Sequence, residues 1–148
     1  MSPLEFVLQV VSAFVGVVAV AVLFQVPKKY LALAGVTGAA GWFLELVMEE
    51  VTQKAVLSYF FAAFLVAVLS QIFARVSKAP VTLYLVTGIL PLVPGVGMYR
   101  TVYYLLQSNQ EQMSYYFSYT LQIAGMIALA IFVVDSCFKR LYQRKKRG

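Results

Sequence analysis

Apolar runs alternate with short polar connectors along the whole chain. The runs extend over about 4–26, 30–48, 55–74, 81–106 and 114–138. Each is close to or above the roughly 20 apolar residues that carry a helix across a hydrocarbon core of about 30 Å. The connectors hold only a few residues apiece, from Val26-Pro27-Lys28-Lys29 to the stretch Gln107 to Met113. No long hydrophilic loop is left for an extramembrane domain. The pattern therefore predicts an all-α polytopic membrane bundle of about five spans, one transmembrane domain over 1–148 with a basic tail at 139–148.

One run is interrupted. Pro91-Leu92-Val93-Pro94-Gly95-Val96-Gly97 lies inside the fourth, where proline removes a backbone N–H and clashes with the preceding turn. A discontinuous fourth span, broken at 91–97, is expected. The break begins about 16 Å of helix beyond Pro80, near the midplane. Freed backbone groups at that depth cost several kcal/mol each unless protein or water satisfies them, so the break should be buried or line a cavity. Interrupted hydrophobic segments of this kind point to the binding site of a secondary transporter. The plainer reading is a proline kink that serves packing.

Composition strengthens the membrane assignment. Of 148 residues, 61% are hydrophobic, which exceeds the roughly 45–50% of soluble domains. The formal charge is +6, yet half of the basic side chains (Lys139, Arg140, Arg144, Lys145, Lys146 and Arg147) directly follow the last apolar run. That placement fits anionic lipid headgroups and membrane topology, not nucleic acid. With five spans, these six and Lys28, Lys29, Arg75 and Lys78 share one side, leaving only Lys54 and Arg100 elsewhere. The positive-inside rule then puts the N-terminus outside and the C-terminus inside. A second five-span unit that began in the cytosol would lie inverted relative to this one, a recurrent transporter architecture. The first run lacks the basic n-region of a signal peptide and is expected to be a retained helix.

The candidate chemistry is sparse. There is no histidine and Cys137 is the sole cysteine, so the usual zinc and haem sites are not expected, nor any cofactor. No nucleophile–base set and no phosphate-binding loop is present, so no catalytic residue is assigned. What remains is the break. The half-helix starting near Pro94-Gly95 would aim its free N–H groups and positive dipole end at the bilayer centre, where they suit a carboxylate. Pro91, Pro94, Gly95, Gly97, Tyr99, Arg100 and Thr87 are the substrate-binding candidates. Arg100 is the one cation inside a span, available to a substrate carboxylate or to Glu45, unless it snorkels to the headgroups. Glu45 is the candidate for ion pairing or for ion coupling. Gly35, Gly38 and Gly41, with Ala34, form a small-residue stripe suited to helix packing. Tyr103, Tyr104, Tyr115, Tyr116 and Tyr119 read as an interfacial aromatic belt.

Three stretches together resemble a known family. They are Phe24-Gln25-Val26-Pro27, Gly38-Ala39-Ala40-Gly41 and Pro91-Leu92-Val93-Pro94-Gly95, and they are similar to the short all-membrane subunit of the threonine/serine exporter family. The resemblance spans nearly the whole chain. It implies export of small amino acids such as threonine and serine across the bacterial cytoplasmic membrane; related two-component systems export dicarboxylates such as succinate. It further implies a partner, a larger subunit with a cytosolic N-terminal domain and about five spans of its own. A homo-oligomer is also compatible with the sequence. Trp42 departs from the pattern, since some short subunits carry histidine after the second glycine, and Glu45 one turn later is the alternative coupling residue. Two other roles compete with transport: a passive pore constricted at the Pro/Gly segment, and a scaffold that only stabilises its partner.

Overall fold

A computed structural model describes residues 2–148. Six α-helices account for nearly all of them: α1 (Pro3–Leu23), α2 (Lys28–Thr52), α3 (Ala55–Ser77), α4 (Val81–Ile89), α5 (Gly95–Leu106) and α6 (Gln110–Arg147). The helices α1, α2, α3 and α6 are each long and apolar enough to cross a membrane. Helices α4 and α5 together make a fifth candidate span, bent by 52°.

The break is narrower than the expected 91–97. Leu90–Leu92 forms a 3-10 turn, and helical geometry resumes at Gly95, so that Gly95, Val96 and Gly97 belong to α5. Only Val93 (ψ 128°) and Pro94 (ψ 58°) depart from it. Proline disfavours helical geometry in the residue before it, which accounts for extended Val93. Pro91 sits in the 3-10 turn that directly continues α4, and its missing N–H is one that a continuing α-helix would need. The sixth helix is longer than its apolar run. Its 38 residues span about 57 Å, more than the roughly 40–45 Å of a bilayer with headgroups, so the basic tail is a helical extension of the last span.

Short links join the helices. Gln25, Gln53, Lys78 and Ser108 each take a left-handed conformation (φ 54° to 58°) that turns the chain after a helix. Ser2 and Glu5 close a capping box at the start of α1, and the Asn109 side chain accepts from the Gln112 amide to start α6. The α2–α3 and α5–α6 turns lie at one end of the bundle, here the upper end. The α1–α2 and α3–α4 turns define the lower end.

The second helix is the axis of the bundle, packed by α1, α3 and α4. Its glycines explain why. A Cβ on Gly35 would strike Phe14 and Val18 of α1, one on Gly38 would strike Val17, and one on Gly41 would strike Val66 of α3. Without a strong hydrophobic drive between helices in lipid, such close backbone approach is what van der Waals packing rewards. Helix α6 packs on α3 and α5, whereas α5 packs on α6 alone. A lower cluster gathers Ala21, Ala34, Ala74 and Tyr84, with the Tyr84 hydroxyl 2.7 Å from Ser77 Oγ. A second cluster surrounds Leu92 at the break.

Candidate functional site

Because α5 leaves the bundle axis at the break and rests only on α6, a cleft opens between the α5–α6 pair and the faces of α2 and α3. Its volume is about 400 Å³. The break supplies Pro91, Val93, Pro94, Gly95, Val96 and Gly97; Trp42, Tyr59, Arg100, Tyr116, Tyr119 and Ile123 complete the wall. Gly95 opens its first turn: a Cβ there would meet no atom within 4 Å, so only hydrogen stands between this backbone and the cleft. In the first turn of α5 the Gly95 N–H already donates to the Val93 carbonyl at 2.7 Å, which leaves the amides of Val96 and Gly97 without helical acceptors. Gly97 does a different job. A Cβ there would collide with the Thr120 hydroxyl, so this glycine seats α5 on α6.

Arg100 follows one turn above the break. Its guanidinium lies 5.2 Å from the centre of the Tyr116 ring and donates to the Tyr116 hydroxyl at 2.9 Å. Tyr116 is itself stacked on Tyr104, their centroids 5.5 Å apart. Of the tyrosines expected as an interfacial belt, Tyr104 and Tyr116 thus stack across α5 and α6, and Tyr116 holds the one cation of the cleft in place. The guanidinium keeps donors to spare, since it carries five N–H groups.

Glu45 stands in a neighbouring recess. It is 3% exposed and lines a cavity of about 520 Å³ with Gln9, Glu49, Glu50 and Gln53. Trp42 and Tyr59 border both cavities, so the cationic cleft and the acidic recess meet at this aromatic pair. Among the described residues Arg100 forms no ion pair with Glu45. The reason is packing: Arg100 follows α5 onto α6, while Glu45 stays on α2. Trp42 also borders a third groove toward α1, of about 410 Å³, where its indole N–H donates to Gln9 Oε1 at 3.3 Å.

Two sequence candidates lie away from the cleft. Thr87 is 1% exposed and donates back to the Leu83 carbonyl at 2.8 Å, the habit of hydroxyls in apolar helices. Tyr99 is 68% exposed and stacks on Tyr103 on the far side of α5. Conversely, Trp42, Tyr59, Tyr116 and Tyr119 were not candidates, though all four line the cleft. Trp42 alone carried a local signal, a large aromatic directly after the glycine stripe.

Searches of curated proteins and of solved structures found no match. Residues 9–137 match the family described as Threonine/Serine exporter, ThrE. The matched segment begins at Gln9, whose amide meets Trp42, and runs through the glycine stripe, the broken span and the tyrosines of α6. Helices suited to a bilayer and a cleft at a broken span are thus combined in one multi-pass membrane protein, and the chain belongs to the threonine/serine exporter family of transporters.

Proposed function

We propose that the chain is a membrane subunit of a secondary exporter whose cargo is a small zwitterionic amino acid of the threonine or serine kind, bound where the cationic cleft meets the acidic recess. The observation that carries this reading is the shared Trp42–Tyr59 border, with Arg100 and the start of α5 on one side and Glu45 and Glu49 on the other. A carboxylate suits the guanidinium and the first-turn amides. An ammonium suits the carboxylates and the aromatic faces. A dicarboxylate such as succinate would set its second charge against Glu45 and Glu49, which disfavours it.

The lower end faces the cytosol in this reading, because Lys28, Lys29, Arg75, Lys78 and the basic end of α6 gather there, and the upper cleft opens outward. The membrane is the bacterial cytoplasmic membrane. A larger subunit of inverted topology completes the transporter, and Glu45 serves as the coupling residue.

Uphill export of labelled threonine from cells that produce the full-length chain together with its larger subunit tests the site. Arg100→Gln is expected to raise the half-saturating threonine concentration about tenfold, the effect of losing one charge-assisted hydrogen bond. Gly95→Leu fills open space in the cleft and should abolish export while leaving the protein level in the membrane unchanged. Wild-type export from both variants removes the proposed site. Conductance without a gradient requirement would instead identify a pore.

A further inference from the structure

A further cavity, of about 550 Å³, lies below the break between α3, α4 and α6. Its polar groups are Gln71, Thr82 and Asp135. Gln71 is 7% exposed, and its amide is fixed in orientation: Arg75 donates to Gln71 Oε1 at 2.8 Å, and Gln71 Nε2 reaches Asp135 Oδ1 at 3.4 Å. Asp135 also holds Lys139 at 2.8 Å, but that lysine side chain is 72% exposed and free to be displaced.

Three helices run past the same sequence of surroundings. On α3, Tyr59 borders the upper cleft, Ala62, Ala63 and Val66 are buried with Leu92, and Ala67 and Gln71 border the lower cavity. The broken span goes from Pro94 through Leu92 and Ile89 to Leu85 and Thr82. On α6, Ile123 precedes Ile127 and Ala130, and Asp135 follows. From Tyr59 to Gln71, or from Ile123 to Asp135, is about 18 Å along a helix. A thin apolar layer centred on fully buried Leu92 therefore separates two largely apolar cavities, each of which carries a few polar groups.

We infer that the lower cavity is a cytosolic loading site for the same cargo, in which Asp135 receives the ammonium and Gln71 and Thr82 receive the carboxylate, sealed from the upper cleft by Leu92. The inference rests on the amino-acid reading above. Ammonium binding replaces Lys139 at Asp135, so one cation takes the place of another on that carboxylate. The second N–H of the Gln71 amide and the Thr82 hydroxyl are the donors the carboxylate needs. Leu92 suits the sealing role because the 3-10 turn that carries it joins two helical segments set at an angle, so a change in their bend moves this side chain.

Sided labelling tests the inference. In the full-length chain with Cys137→Ser, a membrane-impermeant maleimide should modify Val81→Cys, on the lower cavity wall, from the cytosolic face only and Val93→Cys from the outer face only. Threonine at about ten times its half-saturating concentration should slow both reactions about tenfold, as occupancy removes free site. Asp135→Asn should weaken the protection of Val81→Cys about tenfold and leave that of Val93→Cys unchanged. Leu92→Ala, or Val66→Ala as a second variant, should make Val81→Cys reactive from the outer face. Labelling of Val81→Cys from both faces with Leu92 in place, or none from the cytosol, overturns the seal. Protection of Val93→Cys alone overturns the loading site and spares the amino-acid reading; protection of neither, without threonine export, overturns that reading itself.

Discussion

With alanine at both Pro91 and Pro94, the chain is expected to reach the membrane at normal levels and export no measurable threonine, a loss of more than about a hundredfold. Each replacement restores a backbone N–H and removes a residue that disfavours a helix interior by about 3 kcal/mol. Val93, no longer before a proline, is released from its extended conformation. The preferred state of the segment from Val81 to Leu106 then becomes one continuous helix in place of two at 52°. Straightening moves α5 relative to α6, dissolving the Arg100–Tyr116 contact and the cleft wall together. Spin labels at Val86 and Val102, both exposed, would report a longer separation than in the unaltered protein. Full export by the double variant would mean that the break serves packing alone.

Gly41→Leu is expected to prevent assembly, lowering stability by about 3 kcal/mol or more. Its first side-chain atom would overlap Val66 Cγ2, with the Ala62 carbonyl and Leu92 Cδ1 each 3.8 Å away. Val66 is completely buried, and a β-branched side chain in a helix has one strongly preferred rotamer, so it has nowhere to turn. The overlap must be relieved by separating α2 from α3, the axis of the bundle. Gly125→Ala is the matched control: a Cβ there meets nothing within 4 Å, and the change should stabilise α6 by up to about 1 kcal/mol through helix propensity. Thermal aggregation of the detergent-solubilised variants separates the two outcomes. Equal stability of Gly41→Leu and the unaltered chain would remove the glycine stripe from the account of packing.

Residue types made much of this legible. Proline acts through its own ring and missing N–H, so the interruption of the fourth span was visible without any neighbour. Its width was not, because whether Gly95 to Gly97 unwind or start a helix depends on the support α5 finds on α6. The same limit applies to the site. Arg100 could be singled out because a charge in an apolar run is costly wherever it points. Its partner could not: the sequence offered Glu45, a substrate carboxylate or the headgroups, and the packing of α5 on α6 brought it instead to Tyr116. Tyr59 looked like any aromatic at a helix start, and it became a wall of the cleft only when α3 met α2.

Hydropathy and backbone chemistry, read along the chain, determined the membrane setting, the approximate spans and the position of the break. These are properties of single residues and their close neighbours, and lipid rewards them in any arrangement of helices. Only the tertiary structure decided which faces meet: that Gly41 admits Val66, that the α5–α6 pair stands off from α2, and that Leu92 lies between two cavities. Those outcomes depend on steric fit between helices distant in sequence, and a one-dimensional pattern of apolar residues, uniform on every face, holds no record of which face will find which partner.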